Sequence, residues 1–329
     1  VMESENVCIR NWASGAVTAV QEECLNRELV FLDRLSQVTL DDLTAGLDHA
    51  PDFLVGWRTE GGSIAQDYRQ RMQEVGEKGY GIFARYHMFT VENGQLVPVK
   101  HPDPQQLEQL PGYEQERQKV IANTQALLDG KPANNVLLYG DAGTGKSSAI
   151  KAIANNFAAQ GLRLVEVKKN QLYQIPDLMD ALAANPLKFI LFIDDLSFTS
   201  NDDNFAALKA ILEGSVGGRA QNIAVYATSN RRHLIKETMT DRSGDDIHES
   251  DTRQELMSLS ARFGLTVTFA SPDRDRYLYI VGELAKQYGV DLDEHTLAVR
   301  SEAFAIRMGG RSARVAKQFI ELCKSGVQV

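Results

Sequence analysis

Short apolar runs alternate with helical stretches from about residue 135 onward. The repeated order strand, helix, strand is typical of a parallel sheet with helices on both faces. Four of the five predicted strands are almost entirely apolar, as strands covered on both faces are. The predicted strands are Asn135 to Tyr139, Leu164 to Val167, Phe189 to Asp194, Ile223 to Thr228 and Leu265 to Phe269.

The pattern becomes wholly helical after the last of these strands. Ser271 and Pro272 are typical of an N-cap followed by proline at the first helical position, and they predict a helix that runs to about Tyr288. Helical periodicity recurs at His295 to Arg307 and at Ser312 to Lys324. Residues 271–329 are therefore predicted to form a small helical module.

Residues 1–105 have a different pattern. Helical periodicity appears at Val17 to Leu35 and at Ile64 to Val75, and Asn93-Gly94 predicts the turn of a β-hairpin. We therefore predict an α/β protein in three parts. These are an N-terminal α+β region of unknown role (1–105), a core with a five-stranded parallel sheet (106–270) and the helical module (271–329).

Composition and charge exclude several classes of protein. Of the 329 residues 43% are apolar and 24% charged, which is ordinary for a globular protein. The net charge is −9, and residues 1–106 hold 16 acidic but only 9 basic residues. This balance disfavours a main role in neutralising nucleic acid or anionic lipid. A protein partner is therefore favoured over a nucleic-acid partner.

The cysteine count and the opening segment bear on the cellular compartment. Cys8, Cys24 and Cys323 are too widely separated to indicate a zinc site or a disulfide framework. The segment up to Asn11 lacks the basic and then apolar run of a secretion signal. No stretch approaches the roughly 18 apolar residues of a membrane span. We therefore expect a cytoplasmic protein without a membrane segment.

The strongest motif follows the first predicted core strand. It has the spacing of a phosphate-binding loop: glycines free the backbone N–H groups to face phosphate oxygens, the lysine reaches the β- and γ-phosphates, and the hydroxyl that follows binds Mg²⁺. We expect Lys146 and Ser147 to fill the last two roles. The predicted nucleotide-binding residues are Gly140, Asp141, Ala142, Gly143, Thr144, Gly145, Lys146, Ser147 and Ser148.

Polar side chains also end two later strands. Asp194 and Asp195 follow the strand that begins at Phe189, and Asn230 follows the strand that begins at Ile223. Ligands of an open α/β sheet bind at this carboxyl edge. We expect Asp194 to hold Mg²⁺ through water, Asp195 to orient the attacking water, and Asn230 to sense the γ-phosphate.

These residues resemble the AAA+ class of ATPases, and in more detail a mostly bacterial AAA+ family known only as a domain of unknown function. The resemblance runs from about Leu107 to Gly326. The segments that carry it are Leu110-Pro-Gly-Tyr-Glu114, Pro132-Ala-Asn-Asn-Val-Leu-Leu-Tyr-Gly140, Phe192-Ile-Asp-Asp-Leu-Ser-Phe198, Tyr226-Ala-Thr-Ser-Asn-Arg-Arg-His233 and Arg262-Phe-Gly264.

The resemblance implies a nucleotide bound between the core and a helical lid. By similarity, Asn230 takes the sensor-1 role and Arg262 that of an arginine finger that reaches a neighbouring subunit in a ring or dimer. Arg314 takes the sensor-2 role on the lid, with Arg311 as its rival. Gly112 and Tyr113 are similar to the segment that lines the adenine.

Three departures from the pattern bear on function. Ala261 stands where the family usually has an acidic residue, and Asp195 stands where most AAA+ ATPases have glutamate. Lys168 to Gln174 replaces an aromatic pore loop, which favours a loader or remodeller over a threading unfoldase. Residues 236–255, with seven acidic and three basic side chains and no apolar period, are predicted to be a mobile loop.

The sequence therefore predicts an ATPase that binds ATP with Mg²⁺, releases ADP and phosphate, and acts on an unidentified protein partner. An ATP-binding switch or scaffold with little hydrolysis remains the alternative. A DNA-associated ATPase similar to a helicase loader is a further alternative, and a small-molecule kinase is a weaker one.

Overall fold

The computed structural model describes residues 17–46, 53, 55, 59, 62–196, 207–209, 211–212, 220–230 and 261–327. The loop predicted at 236–255 lies outside these ranges. The chain divides into two compact units, residues 1–84 with 184–187, and residues 85–183 with 188–329. The predicted domain boundary after residue 105 stays a prediction.

The first unit is helical where it is described. Its helices are Ala19–Ser36 (α1), Leu40–Thr44 (α2), Ile64–Gln73 (α3) and Val75–Lys78 (α4). A capping box between Thr18 and Gln21 begins α1. Asp33 joins α1 to α3, because its carboxylate accepts hydrogen bonds from the Ser63 hydroxyl (2.8 Å) and the Ala65 N–H (3.1 Å). The helix Ile82–Arg85 (α5) follows along the chain.

The second unit is built on a seven-stranded sheet in the order β2-β1-β4-β5-β6-β3-β7. The β1–β2 pair is antiparallel, and all other pairs are parallel. The strands are Met88–Glu92 (β1), Gln95–Pro98 (β2), Val136–Gly140 (β3), Leu162–Glu166 (β4), Lys188–Ile193 (β5), Ile223–Ser229 (β6) and Leu265–Phe269 (β7). All five predicted core strands are present.

The hairpin is where the prediction of a five-stranded sheet differs from the structure. Its turn is as expected, with positive φ angles at Asn93 (50°) and Gly94 (77°). However, β1 pairs with β4, with Met88 opposite Leu164, and so adds two strands to the core sheet. The hairpin therefore belongs to the second unit, although the sequence places it in the N-terminal region.

Helices cover this sheet and form the helical module. They are Glu114–Leu128 (α6), Lys146–Phe157 (α7), Ile175–Ala183 (α8), Arg274–Tyr288 (α9), Glu294–Arg307 (α10) and Ala313–Lys324 (α11). The N-cap of α9 is Asp273, whose side chain accepts from the Arg276 N–H at 2.8 Å. The prediction that Ser271 caps this helix is wrong, because a carboxylate two residues later supplies the acceptor.

One apolar core joins the sheet to the module. Phe269 of β7 and Ile153 of α7 belong to the same buried cluster as Ile280 of α9 and Phe319 of α11. The predicted α/β fold class with a C-terminal helical module is thereby confirmed. Among the described residues, no helix is long and apolar enough to cross a membrane.

The strand order determines where a ligand can bind. The chain leaves β3 through α7 and returns at β4, so that β5 and β6 lie between the two strands, while β7 flanks β3 on its other side. Such a reversal opens a crevice at the carboxyl ends of the strands. The residues that follow β3, β5 and β6 therefore meet at one edge of the sheet.

Candidate nucleotide-binding site

The predicted phosphate loop connects β3 to α7 at this edge. Gly140, Gly143 and Gly145 have φ angles of 136°, 77° and 92°, which L side chains rarely adopt. A Cβ at Gly140 would overlap the backbone carbonyl of Phe269. Glycine at position 140 thus allows β7 to approach the start of the loop.

Lys146 begins α7 and is only 6% exposed. Its ammonium donates to the carbonyl oxygens of Gly140 (2.9 Å) and Asp141 (2.7 Å). Burial lowers the pKa of Lys146, and the carboxylates of Asp141, Asp195 and Asp194 oppose that shift. The loop therefore holds a partly desolvated cation at its rim, where an anion gains most from it.

Asp194 receives three hydrogen bonds on one oxygen. Its Oδ1 accepts from the Ser147 hydroxyl (2.6 Å), the Thr228 hydroxyl (2.5 Å) and the Asp195 N–H (3.1 Å). A hydroxyl and a carboxylate side by side are the oxygen donors that Mg²⁺ prefers. Ser147 and Asp194, the two predicted metal ligands, therefore fit this ion.

Asp195 has a left-handed backbone, with φ of 49°, which Asp tolerates better than most residues. Its N–H donates to the Thr228 hydroxyl at 2.9 Å, and its Oδ1 accepts from the Asn230 amide at 2.8 Å. The sharp turn after β5 thus directs the second carboxylate to the end of β6. The two residues that the sequence assigns to water and to the γ-phosphate are in direct contact.

These groups line a cavity of about 570 Å³ between the sheet edge and the helical module, within the usual range for ligand sites. The predicted residues that line it are Tyr113, Ala142, Gly143, Thr144, Gly145, Lys146, Ser147, Ser148, Asp194, Asp195, Asn230 and Arg314. Gly112, Gly140, Asp141 and Arg262 are not among its lining residues.

Tyr113 lines the cavity from the start of α6. Its ring stacks on Phe269 (5.2 Å between centroids), the Arg276 guanidinium lies 4.9 Å from its centroid, and its hydroxyl donates to the Ala270 carbonyl at 2.6 Å. Burial raises the pKa of Tyr113 to about 12. Gly112 contributes a carbonyl that accepts from the Arg117 guanidinium. Tyr113 therefore joins the core to the module as well as lining the cavity.

The two candidate arginines of the module differ in position. Arg314 lines the cavity, and its backbone N–H donates to the carbonyl of Gly143 in the phosphate loop at 3.0 Å. Arg311 instead forms an ion pair with Glu302, with Nε–Oε1 and Nη2–Oε2 distances of 2.9 and 2.7 Å. The structure therefore brings Arg314, not Arg311, to the nucleotide loop.

Arg262 lies near the amino ends of the parallel strands, whereas the phosphate loop follows their carboxyl ends. It precedes β7, which runs parallel to β3 with Leu265 opposite Val136 and Phe269 opposite Gly140. At ~3.3 Å per residue, the length of β7 alone places these two ends of the sheet about 13 Å apart. Within one subunit, Arg262 is therefore remote from the cavity.

The sequence missed several lining residues. Gln105 and Gln109 line the cavity from the segment before α6, Arg117 from the first turn of α6, and Lys317 from α11, about one turn after Arg314. Thr228, whose hydroxyl bonds Asp194 and the Asp195 N–H, lies two residues before the predicted Asn230, so the sequence pointed to its segment. Gln105 is held near the site because the Asn155 amide of α7 donates to its carbonyl at 2.8 Å.

The chain matches a family model and aligns with a solved structure. A family model described as "Protein of unknown function (DUF815)" matches residues 83–327, which confirms the predicted resemblance to an uncharacterised family. Among solved structures, a RuvB variant from Thermotoga maritima aligns with a TM-score of 0.45 and 18% identity, over 68% of this chain and 66% of that chain. The match thus spans just under two thirds of that protein. No curated protein matches the chain.

Proposed function

The chain belongs to the DUF815 family of proteins of unknown function, and we propose that it is an AAA+ type ATPase that converts ATP to ADP and phosphate. One observation carries the proposal: Ser147 of the phosphate loop and Asp194 of β5 share a hydrogen bond of 2.6 Å at the wall of a ligand-sized cavity. That pair joins the two parts of a phosphate and metal site.

Ser147 and Asp194 would hold a magnesium ion, Ser147 directly and Asp194 through water. The ion would neutralise charge on the β- and γ-phosphate oxygens. Both side chains already form hydrogen bonds with each other or with Thr228, so the ligand positions are set before any ion binds.

The charged groups around the loop would bind and orient the phosphates. Lys146 is the proposed partner of the β- and γ-phosphates, since a charged phosphate oxygen is a stronger acceptor than the neutral carbonyls of Gly140 and Asp141. Arg314 would approach from the module. The backbone N–H groups at the start of α7 complete an anion site.

Asp195 and Asn230 would act on the attacking water. Asp195 accepts a hydrogen bond from that water and orients it, while Asn230 fixes the carboxylate through the 2.8 Å bond between the two side chains. In phosphoryl transfer most of the catalytic effect comes from positioning and charge stabilisation, and these two residues supply the positioning.

Arg262 would supply charge stabilisation to the site of a neighbouring subunit. Its place at the far edge of the sheet supports this role, because it cannot serve its own cavity. Arginine fingers that act in trans contribute about 10³- to 10⁵-fold in rate. The active form is accordingly a homo-oligomer, a ring or a dimer, that acts on an unidentified protein partner.

An ATP-dependent switch is the second candidate. The bond between the Arg314 N–H and the Gly143 carbonyl favours it, because a lid docked on the loop would move with nucleotide occupancy. A switch requires unequal ATP affinity in its two conformations. It would bind ATP tightly and release almost no phosphate at any protein concentration.

The test is ATP turnover per subunit over a wide range of protein concentration, with Lys146→Ala as the blank and Arg262→Ala beside it. We expect turnover to rise with concentration and to disappear in both variants. Turnover that is independent of concentration would refute the shared site. Normal ATP binding and hydrolysis by Lys146→Ala would refute the ATPase assignment itself.

A further inference from the structure

Two adjacent asparagines fix the start of β7, the strand that follows Arg262. The Asn135 carbonyl accepts from the Leu265 N–H at 3.1 Å, and the Asn135 side chain accepts from the Val225 N–H of β6 at 3.0 Å. Asn135 is buried. It therefore links the first residue of β7 to β6, the two strands on either side of β3.

Asn134 packs against Gly264, which immediately precedes β7 and lies two residues after Arg262. Its side chain packs so closely on Gly264 that a Cβ there would lie 2.7 Å from the Asn134 Cγ. Gly264 has no positive φ to explain its identity, so the close approach of Asn134 is what requires glycine. Phe263, between Arg262 and Gly264, is itself buried and anchors this part of the chain in the core.

Helix α6 in turn holds Asn134. The Asn123 side chain accepts from the Asn134 N–H (2.9 Å) and donates to the Asn134 carbonyl (3.0 Å), so it binds both backbone groups of that residue. The same Asn123 amide donates to the Tyr226 hydroxyl at 3.0 Å, and Thr124 bonds that hydroxyl at 2.9 Å. Tyr226 is fully buried in β6.

The network thus connects two parts of the proposed machinery. Strand β6 carries Tyr226 and ends beside Asn230, and α6 begins directly after Tyr113 on the cavity wall and reaches Asn123 about 15 Å further along. The network residues themselves, Asn123, Asn134, Asn135 and Tyr226, are not among the residues that line the cavity.

We infer that Asn123 and Asn134 are positioning residues for Arg262, and that they set the angle at which it reaches the next subunit. The inference rests on the proposed function, since it requires the finger to act in trans. A misplacement of about 1 Å in a catalytic group can cost on the order of 10² in rate. A weakened network should therefore lower the activity of the neighbouring site and not that of its own.

Mixed assemblies test this directly. Lys146→Ala subunits keep the finger but lack the site, and Arg262→Ala subunits keep the site but lack the finger. We expect each to be inactive alone and to recover turnover when they are mixed at low concentration and then concentrated together. In the mixture, the active sites are those of Arg262→Ala subunits that receive the arginine of a neighbouring Lys146→Ala subunit.

Asn123→Ala is then placed in one subunit type at a time. In the Lys146→Ala subunit, which donates the finger, we expect the recovered turnover to fall by at least about ten-fold. In the Arg262→Ala subunit, which supplies the site, we expect less than a two-fold change. Gly264→Ala should behave in the same way, and Gln118→Ala, an exposed position of the same helix, should change neither.

Equal losses in both placements would overturn the inference, since a general folding defect has no preferred subunit. If Asn123→Ala does not fold, Tyr226→Phe, which removes only the hydroxyl bonds, takes its place with the same expectation. An active wild type whose two single variants fail to complement overturns the trans finger together with this inference. Complementation with equal losses overturns the inference alone.

Discussion

The amide of Asn230 donates a 2.8 Å hydrogen bond to Oδ1 of Asp195. Asn230 follows the end of β6 and Asp195 follows the end of β5, so the bond joins neighbouring strands at the carboxyl edge of the sheet. The Asp195 carboxylate is thereby fixed by a neutral donor, which leaves its negative charge available to a water molecule.

Asp195→Asn should separate binding from chemistry. Asn tolerates the left-handed backbone at this position, so we expect unchanged ATP affinity. Turnover should fall by about 10² to 10⁴, the usual contribution of a positioned base. Nucleotide titration and phosphate release measure the two effects separately. A variant with wild-type turnover would remove Asp195 from the mechanism.

The two arginines of the module should respond differently to alanine. Arg314→Ala should weaken ATP binding, by about ten-fold if one charge-assisted contact to phosphate is lost. Arg311→Ala removes only the ion pair with Glu302, which is partly exposed, so we expect a loss of at most about 1 kcal/mol in unfolding free energy. Calorimetric titration and denaturant unfolding of both variants test this. The reverse result would make Arg311 the nucleotide contact.

Alanine in the phosphate loop should reveal its contact with the module. A Cβ at Gly143 would lie 3.0 Å from the Ser312 Oγ and 3.1 Å from the Arg314 Cβ, whereas one at Gly145 would meet nothing within 4 Å. Both positions have positive φ, so both variants carry backbone strain of about 1 to 3 kcal/mol. Only Gly143→Ala should also displace the module.

Hydrogen exchange measures that displacement. We expect faster amide exchange in the first turn of α11 in Gly143→Ala than in Gly145→Ala, because only the former pushes on Ser312 and Arg314. Identical exchange in the two variants would show that the contact is too weak to hold the module.

Asp141 predicts a dependence of stability on pH. The Ser271 hydroxyl and the Ser271 N–H, the latter at 2.7 Å, donate to its carboxylate and hold the pKa of Asp141 below its ordinary value of 3.8. Because the folded-state pKa is lowered, the stabilisation is present above pH 3.8 and is lost as the pH falls through the folded-state value. The carboxylate is exposed, so solvent limits the effect to about 1 kcal/mol.

Asp141→Asn should therefore unfold more easily than wild type at pH 7, and the difference should be smaller at pH 3, below the ordinary pKa of the carboxyl group. Denaturant unfolding at both pH values measures this difference. A difference that persists unchanged at pH 3 would show that the amide substitution, and not the charge, is responsible.

The sequence predicted the parts of the site that follow from local pattern. The glycines, lysine and serine of the phosphate loop are contiguous, and the apolar runs of β3, β5 and β6 end in polar residues that must meet at one edge. For this reason the sequence predicted that Lys146, Ser147, Asp194, Asp195 and Asn230 lie together, and in the structure they line one cavity.

The remainder depends on long-range packing. The pairing of Met88 with Leu164 joins segments about 75 residues apart, and alternation of apolar residues gives the register of a strand but not its neighbour. Arg117 lines the cavity from the first turn of α6, where its guanidinium donates to the Gly112 carbonyl. The preference for Arg314 over Arg311 depends on Glu302, nine residues before Arg311 and one turn of α10 from its end.

The bond from the Arg314 N–H to the Gly143 carbonyl involves backbone atoms alone. Replacement of the Arg314 side chain leaves the donor and the acceptor in place, apart from proline at position 314, which has no N–H. The attachment of the module to the phosphate loop is therefore a property of the chain path. Any motion that lifts the first turn of α11 off the loop must also release the Gly143 carbonyl, so the opening of the module changes the hydrogen bonding of the phosphate loop.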